Sequence, residues 1–424
     1  MKKILIITYY WPPKGGVGVQ RWLKLSKYLC KENYDITIYT TKDGVSTLED
    51  STLEESVPSG LNILKHTIFE PQKYFKSFFK KRFSSDFLLK KETGLVNQLM
   101  LWLRANLFVP DSRCFWIKPS ISFLDNYLRE NPVDVIVSSG PPHSMHMIAL
   151  GLKNKHNFKW IADFRDPWTG IEYFDNLPLL SRVIKKHKKL EKQVFNQADC
   201  TLTVSPSWSL DFGKMGAKKN VFLTNGFDPD DYTLTASKKV LSYFKIGYFG
   251  LYNESRDHDF FWKTIKKICI DSPQFNKDLK FLFSGEVYQD FFKKITSYQM
   301  HDKFQYYNYL NHKESIENMM QCDMLLVSQG DERAINGRIP AKLFEYIGTK
   351  KPILAIGKKG SDLEKIINNI SYAWFVEFDN ITLLYTTILE IYSLRQLDTK
   401  YSDDISRFSR EYQAKKLIKL IDEI

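Results

Sequence analysis

Residues 3–29 read KILIITYYWPPKGGVGVQRWLKLSKYL and decide the fold. The β-branched run at residues 3–8 predicts a short buried strand, which the Pro-Pro-Lys-Gly-Gly loop ends. From residue 20 to residue 29 the apolar side chains recur at helical spacing. A strand, a glycine loop and a helix in this order are typical of the first unit of a parallel α/β sheet.

Similar apolar runs follow at intervals along the whole chain. They predict strands at residues 35–40, 133–138, 159–163 and 200–205, and then at 243–250, 279–284, 304–309, 324–328, 352–356 and 373–378. Their near-continuous apolar character is typical of strands buried on both faces of a parallel sheet. Because helical stretches separate these strands, both halves of the chain are predicted to be α/β.

The length of the chain indicates two domains. It has 424 residues and a mass of 49.8 kDa, roughly two to three times the usual size of one domain. We predict an N-terminal domain at residues 1–230, a C-terminal domain at 231–402, and a helical closure at 403–424 that could pack back on the N-terminal domain. The predicted architecture is two facing, Rossmann-like doubly wound domains with an interdomain cleft.

Composition excludes a mainly disordered chain and favours anionic partners. Hydrophobic residues make up 43% of the chain, which supplies ample core material. The formal net charge of +12 favours binding to phosphates, acidic lipids or nucleic acid without choosing among them.

The cysteines are odd in number and far apart, so a reducing cytosol is expected. No uncharged apolar run is long enough to cross a bilayer, so any membrane contact is expected to be peripheral.

Residues 66–130 are predicted to form a basic, aromatic insertion in the N-terminal domain. Helical spacing over residues 71–83 puts four rings on one side, with lysines around them: Tyr74, Phe75, Phe78 and Phe79. This pattern is typical of an interfacial helix that buries its rings in an anionic membrane surface. The alternative is an ordinary amphipathic helix that packs on its own domain.

The glycine loop and an early strand end are the first candidate ligand contacts. Gly16 precedes the first helix, where backbone N–H groups and the helix dipole favour an anion such as a phosphate. A purely structural turn is the alternative. His143 follows the strand predicted at 133–138, where it could hydrogen-bond a sugar or a phosphate, or serve only as a surface or capping residue.

The string at residues 163–168 is the most unusual in the first half. Asp163 ends a predicted strand and Arg165 and Asp166 directly follow it, and strand ends are where α/β folds keep reactive groups. We therefore predict a catalytic role for Asp163 and Asp166, and contact with the substrate for Arg165. A local salt bridge that caps the next helix is the alternative.

Two loops in the second half could bind a diphosphate. The strand at 243–250 ends in glycine and is followed by Arg256. Farther on, Arg338 and Ile339 precede a helix that carries Lys342 and Glu345. These last two side chains are one turn apart, close enough to share a ligand or simply to pair with each other.

Three strings together resemble bacterial nucleotide-sugar glycosyltransferases of family 4, which have the two-Rossmann GT-B fold. They are YWPPKGG at residues 10–16, DFRDPW at 163–168, and IPAKLFEY at 339–346 with KPIL at 351–354. The resemblance implies that the C-terminal domain binds the nucleotide sugar, that Glu345 contacts the ribose, and that Arg256 and Lys342 contact the diphosphate. The sequence has Gly337 where that family often has a sugar-binding glutamate. The contact could then pass to main-chain N–H groups around residues 337–339.

The resemblance implies transfer from a UDP- or GDP-sugar to a lipid-linked or saccharide acceptor in cell-surface polysaccharide biosynthesis: capsule, exopolysaccharide or O-antigen (lipopolysaccharide). The transferred group would be a hexosyl or N-acetylhexosaminyl unit, with retention of its configuration. Fixed cations and helix N-termini can stabilise the departing diphosphate, and no Asp-x-Asp triplet suited to a metal-bound diphosphate is identified. We therefore expect no metal and no cofactor. The expected location is cytoplasmic, peripheral at the inner face of the cell membrane.

Two other functions stay open. A sugar-nucleotide epimerase or hydrolase of the same fold would convert the donor without an acceptor. The basic aromatic insertion argues against this function, because an enzyme with a soluble substrate needs no membrane-binding surface. A non-catalytic nucleic-acid-binding protein would use the positive charge. The lysine and arginine residues are scattered over helices, and the sequence matches no recognised nucleic-acid-binding module. No nucleic-acid partner is therefore expected.

Overall fold

The computed structural model describes residues 1–46, 48–71, 95–232, 243–330, 333–395 and 401–424. These residues form two compact units. Unit 1 comprises Met1–Thr224 and Ala414–Ile424, and unit 2 comprises Asn225–Gln413. The interfacial helix expected at residues 71–83 lies, apart from its first residue, outside the described residues.

Unit 1 contains a seven-stranded parallel sheet in the order β3-β2-β1-β4-β5-β6-β7. Its strands are β1 (Lys3–Ile7), β2 (Asp35–Thr41), β3 (Asn62–His66), β4 (Val135–Gly140), β5 (Lys159–Phe164), β6 (Cys200–Thr203) and β7 (Asn220–Phe222). The helices described in it are α1 (Val17–Lys31), α2 (Leu95–Leu107), α3 (Cys114–Glu130), α4 (Ser144–Lys153), α5 (Glu172–Asp175), α6 (Ser181–Gln197) and α7 (Pro206–Lys214).

The first strand explains why this sheet is buried on both faces. Leu5 and Ile7 pack into one hydrophobic core, and Ile4 and Ile6 pack into another. Successive side chains of a strand point to opposite faces, so a run of four apolar residues requires a layer of helices on each side. The near-continuous apolar pattern of β1 therefore specifies a central strand of a doubly wound sheet.

Unit 2 contains a six-stranded parallel sheet in the order β10-β9-β8-β11-β12-β13. Its strands are β8 (Phe244–Phe249), β9 (Leu279–Ser284), β10 (Phe304–Tyr307), β11 (Met324–Ser328), β12 (Ile353–Gly357) and β13 (Ala373–Glu377). The helices described in it are α8 (Asp259–Asp271), α9 (Pro273–Asp278), α10 (Phe291–Ser297), α11 (His312–Met320), α12 (Lys342–Thr349), α13 (Asp362–Ile367) and α14 (Ile381–Leu394).

The last helix is shared by the two units. Helix α15 (Arg410–Glu423) begins in unit 2, and its residues from Ala414 onward belong to unit 1. Leu417 and Leu420 on this helix are buried in the core of unit 1 that also contains Ile4 and Ile6. None of the helices within the described ranges is both long and apolar enough to cross a membrane.

The structure confirms the predicted fold class. Both sheets are wholly parallel and doubly wound, and each strand expected from the sequence is present with ends within two residues of the predicted ones. The strand order reverses between β1 and β4 in unit 1 and between β8 and β11 in unit 2. Open α/β sheets bind their ligands in the crevice at such a reversal, outside the carboxyl ends of the strands. The loops that follow these four strands are therefore the places to look for a site.

Candidate functional site

In unit 2, the loop after β8 brings a basic side chain to the strand-order reversal. Gly250 has a φ of +100°, a backbone conformation that side chains with a Cβ rarely adopt. The Leu251 carbonyl accepts hydrogen bonds from Tyr248 Oη at 2.9 Å and from Arg256 Nη1 at 3.0 Å. The Ser328 hydroxyl at the end of β11 donates to the Arg256 carbonyl at 2.6 Å. Arg256 is thus fixed between the two central strands of the sheet.

Lys342, in the first turn of α12, points its ammonium group at this loop. Its Nζ lies 3.3 Å from the centre of the Tyr248 ring and 3.6 Å from where a Cβ on Gly250 would be. Nζ is buried and has no hydrogen-bond partner among the described residues. Burial, reinforced by Arg256, lowers the pKa of Lys342 well below its usual value. Two cations that repel each other, one of them unsatisfied, form a site that an anion would stabilise.

Glu345 lies one turn after Lys342 but does not pair with it. The alternative of a simple ion pair between them is wrong for the described structure, since the Glu345 carboxylate instead lies 4.0 Å from His312 Nδ1. His312 Nε2 is 2.9 Å from Asp231. Burial raises the pKa of Glu345, while His312 and Arg410 act in the opposite direction. The two side chains are therefore each available to a ligand at the start of α12.

Gln329 fixes the main chain between β11 and α12. Its side-chain amide donates to the carbonyl of Arg338 at 2.6 Å and to that of Ile335 at 3.3 Å, and its oxygen accepts from the Lys358 N–H at 3.1 Å. The Ile339 side chain is buried in the core, so Ile339 can offer a ligand only its backbone. Sequence reasoning missed Gln329, because its three partners are set by folding and no local pattern marks them.

In unit 1, Asp163 is fully buried and its carboxylate is already fully hydrogen-bonded. It accepts two hydrogen bonds from Arg21, at 2.9 and 3.1 Å, one from Trp22 Nε1 at 2.8 Å and one from the Ser139 hydroxyl at 3.0 Å. Arg21, equally buried, also donates to the Leu223 carbonyl at 2.8 Å. Asp163 therefore does form a salt bridge, but with the distant Arg21 of α1 and not the local, helix-capping one considered from the sequence.

Arg165 and Asp166 lie in different surroundings from Asp163. Arg165 packs on the start of α1, where its Nη1 would clash with a Cβ added to Gly18. Its guanidinium lies 5.6 Å from the Tyr10 ring centre and donates to the Pro141 carbonyl. Asp166 is half-buried and makes no hydrogen bond or ion pair with any residue of the described ranges. Of the two predicted catalytic carboxylates, only Asp166 has oxygens that a ligand could engage.

The glycine loop opens α1 as expected. Gly16 occupies the position before the helix with a φ of +94°, and its carbonyl accepts from the Val19 N–H at 3.0 Å. The neighbouring Lys14 turns away, since its ammonium donates to the Tyr9 carbonyl at 2.9 Å and lies 3.8 Å above the Tyr9 ring. Any anion bound at this loop would therefore contact the backbone around Gly16 and not the Lys14 side chain. Anion binding by Gly16 stays a prediction.

His143 lies between β4 and α4 and is 5% exposed. Its ring stacks on Trp168 at 4.7 Å, and within the part of the chain that the structure describes neither ring nitrogen has a hydrogen-bond partner. Burial, with nearby His146 and Arg165, lowers the pKa of His143 well below its usual value. His143 is thus a neutral imidazole with one donor and one acceptor free for a ligand.

Two Asp-x-Asp triplets occur in unit 2, at residues 228–230 and 257–259. In the second triplet, Asp257 accepts hydrogen bonds from Tyr252 and Trp262, and Lys294 forms ion pairs with both aspartates at 2.9 and 2.5 Å. Its carboxylates are therefore engaged by side chains of their own unit. No cluster of metal-binding side chains occurs in the described ranges. Metal-independent chemistry stays a prediction.

Comparison with solved structures finds likenesses across the whole chain. A glycosyltransferase from Rickettsia africae matches with a TM-score of 0.64 and 15% identity, over 100% of this chain and 98% of that one. TarM of S. aureus, solved with UDP, matches with a TM-score of 0.63 and 12% identity, over 100% of both chains. A Listeria monocytogenes protein described as a putative UDP-N-acetylglucosamine 2-epimerase matches with a TM-score of 0.58 and 10% identity, over 100% and 96%.

These likenesses establish the fold as that of GT-B glycosyltransferases. No protein-family model matches the chain, and no curated protein sequence matches it.

Proposed function

We propose that the protein is a glycosyltransferase that takes its sugar from a nucleoside diphosphate. The observation that carries the proposal is the buried, unsatisfied ammonium of Lys342 beside Arg256, at the strand-order reversal of unit 2. A diphosphate would supply the acceptor oxygens and the negative charge that this pair of cations lacks. The proteins of similar fold include one solved with UDP.

The same two cations suit the chemistry of the leaving group. When the bond between the sugar and the diphosphate breaks, negative charge grows on the departing phosphate oxygen. Lys342 and Arg256 are fixed before the reaction by Tyr248 and by the Leu251 carbonyl. Charges that need no rearrangement stabilise a transition state more effectively than mobile water. The proposal needs no metal ion for this step.

The other contacts with the donor follow from the loops around these cations. Glu345 would accept hydrogen bonds from the ribose hydroxyls. In the main chain at residues 337–339, which Gln329 fixes, the N–H groups of Gly337 and Arg338 donate to the Ala334 and Ile335 carbonyls. The Ile339 N–H would therefore be the backbone donor to the sugar, with Arg338 adding charge. In unit 1 we assign the catalytic or acceptor-binding role to Asp166, and a positioning role to the buried Asp163.

Replacing Glu345 with Gln is expected to weaken UDP binding by about tenfold. The amide keeps one acceptor oxygen but loses the charge-assisted hydrogen bond to the ribose. Calorimetry with UDP and with its 2′,3′-dideoxy analogue tests whether Glu345 contacts the ribose. The wild type should bind UDP more tightly than the analogue, and the variant should have lost most of that difference. If the variant still discriminates fully between the two nucleotides, Glu345 does not contact the ribose.

The finer function that we propose is the transfer of a hexosyl or N-acetylhexosaminyl unit, with retention, from a UDP- or GDP-sugar to a lipid-linked or saccharide acceptor in cell-surface polysaccharide biosynthesis. Association with the inner face of the cytoplasmic membrane is part of this proposal. Its support is the net charge of +12 and the resemblance of the strings at 10–16, 163–168 and 339–346.

An epimerase or hydrolase is the second candidate, favoured by one observation. A protein described as a putative UDP-N-acetylglucosamine 2-epimerase shares the fold over the whole chain. The two functions differ in their need for an acceptor, because only glycosyl transfer requires one. Incubation with a panel of nucleotide sugars, with and without a lipid-diphosphate sugar, therefore separates them by whether nucleoside diphosphate release depends on the acceptor.

A further inference from the structure

His312 lies at the start of α11, where its own helix does not favour a positive charge. Asn311 caps this helix: its side chain accepts from the Glu314 N–H at 2.9 Å, and the Glu314 carboxylate accepts from the Asn311 N–H at 3.1 Å. The two bonds form a capping box, which fixes the first turn. The partial positive charge of a helix N-terminus disfavours cations there. A protonated His312 therefore needs carboxylates from other parts of the fold.

Two such carboxylates lie beside the imidazole ring, one at each nitrogen. Nε2 of His312 is 2.9 Å from Asp231, and Nδ1 is 4.0 Å from Glu345. Asp231 belongs to the turn at Pro229–Tyr232, and Glu345 belongs to α12. Opposite charges at such distances favour the charged form of each group. The three side chains therefore form a chain in which the imidazolium is held between two carboxylates.

A hydrogen bond ties the turn that carries Asp231 to α12. The Tyr232 hydroxyl donates to the Glu345 carbonyl at 2.8 Å. The Tyr232 ring also packs on Gly348 of the same helix and leaves no room there for a Cβ. Both carboxylates that flank His312 thus lie on elements fixed to each other, so folding sets their spacing before any ligand binds.

Glu345 depends on the imidazolium because its other surroundings disfavour its charge. Burial raises the pKa of Glu345, and Asp231 acts in the same direction. His312 has the strongest opposing effect on this pKa, followed by Arg410 and then Lys342. The Glu345 side chain is still 29% exposed, so a ligand can reach its oxygens. A carboxylate that a ligand needs in its charged form is therefore kept in that form mainly by one histidine.

We propose that His312 is a positioning residue of the donor site, whose imidazolium, held by Asp231, keeps Glu345 ionised for the ribose hydroxyls. The inference rests on the proposed function and deepens it, because it makes recognition of the ribose depend on the charge of His312. His312 acts through Glu345 and does not itself have to contact the nucleotide. An ionised carboxylate accepts charge-assisted hydrogen bonds, which are about twice as strong as neutral ones.

The expected consequence is a ribose preference that depends on pH. As pH falls, Glu345 becomes protonated and the charge-assisted hydrogen bond to the ribose is lost. Without the imidazolium of His312 the pKa of Glu345 would be higher, so the loss would begin at a higher pH. An opposite charge within about 4–6 Å shifts the pKa of a carboxyl group by about 1–3 units.

Calorimetry with UDP and its 2′,3′-dideoxy analogue tests the proposal in the full chain. The ratio of the two affinities reports the ribose contact, because both nucleotides carry the same base and diphosphate. The ratio is measured between about pH 5 and pH 8, the range in which histidine titrates. In the wild type the preference for UDP should fall as pH falls. In His312→Gln it should be half lost at a pH about one unit or more higher.

The shape of the two profiles separates this role from a merely structural one. They should converge in alkaline buffer, where the imidazole of the wild type is neutral and Glu345 is ionised in both proteins. A structural role would lower the preference at every pH. In a Glu345→Gln background, His312→Gln should have no further effect on the ratio, because its action passes through the carboxylate. His301→Gln, the same change at an exposed histidine of unit 2, should leave the profile unchanged.

His312→Lys keeps the positive charge without the ring and should retain the wild-type profile. It decides the question if His312→Gln lowers the melting temperature. An unchanged profile in folded His312→Gln, or a preference that His312→Lys loses as well, would overturn the inference. A wild type with no preference for the ribose hydroxyls would also overturn the ribose role of Glu345 in the proposed function. The two failures therefore stay distinguishable.

Discussion

Replacing Lys342 with Met is expected to weaken the binding of UDP and GDP by about 10- to 100-fold, the range for a hydrogen bond between charged groups. The Lys342 ammonium is buried against Tyr248 without a hydrogen-bond partner in the described structure. Removing it therefore costs the empty protein little, and the free energy of unfolding should stay within about 1 kcal/mol of the wild type, since the lost cation–π contact offsets the relieved desolvation. Calorimetry and thermal unfolding measure the two effects.

Lys293→Met is the matched control for this variant. Lys293 is an exposed lysine of unit 2 that pairs with Asp290, so its loss changes the net charge equally and should leave nucleotide affinity unchanged. Unchanged affinity in Lys342→Met would remove the main support for a diphosphate site. A large loss of stability would instead make Lys342 a structural residue.

Proton uptake provides an independent check on Lys342. Burial and Arg256 hold its pKa well below the usual value in the empty protein, and a bound diphosphate would raise that pKa again. The wild type should therefore take up protons when UDP binds in alkaline buffer, and more so as pH rises, because more of the free amine is then neutral. Lys342→Met should lack this uptake, which calorimetry in buffers of different ionisation enthalpy would detect.

Replacing Asp163 with Asn is expected to lower the free energy of unfolding by about 3–5 kcal/mol. Arg21 is fully buried and has no other carboxylate partner in the described structure. Removing one member of a buried ion pair leaves the other charge uncompensated in a low-dielectric environment, which accounts for an effect of that size. Denaturant unfolding followed by circular dichroism measures it.

Asp166→Asn is the control, because it makes the same chemical change three residues later. Asp166 is half-buried and has no partner in the described ranges, so we expect less than about 1 kcal/mol of destabilisation. Similar stability losses in the two variants would contradict the assignment of Asp163 to a buried pair. A double-mutant cycle with Arg21→Met would then measure how strongly the two side chains are coupled.

Turnover should respond to these two substitutions in the opposite order from stability, with the larger loss of kcat in Asp166→Asn. Asp166→Asn is expected to lose on the order of a hundredfold in kcat, the scale of general acid–base or electrostatic assistance, with its fold intact. Folded Asp163→Asn should lose less, because Asp163 has no oxygen free for substrate. Full activity in folded Asp166→Asn would exclude Asp166 from the chemistry.

Most strands could be read from the sequence because they are apolar, and these include β10 and β13 at the edges of the unit 2 sheet. The two that were missed, β3 (Asn62–His66) and β7 (Asn220–Phe222), are the edge strands of the unit 1 sheet. Edge strands are short and covered less completely by helices, and no residue of either is fully buried. Their sequences therefore lack the continuous apolar pattern that marks the inner strands.

The positions of the candidate residues in the fold were predictable where a local string determines them, although their roles stay predictions. Lys342 and Glu345 share one helix, and Arg256 lies in the loop after β8. The pairing of Asp163 with Arg21 was not predictable, because 142 residues separate them in sequence and only the adjacency of β5 and α1 brings them together. Nearby charges favoured Arg165 as the partner, although its side chain points to Tyr10 instead.

The most direct test of the central claim measures nucleoside diphosphate release from a panel of nucleotide sugars, with and without a lipid-diphosphate sugar acceptor, for the wild type and Lys342→Met. Glycosyl transfer predicts release by the wild type that requires the acceptor, and release reduced by about tenfold or more in the variant at subsaturating donor. Donor conversion that proceeds equally well without any acceptor, or release that Lys342→Met leaves unchanged, would contradict it.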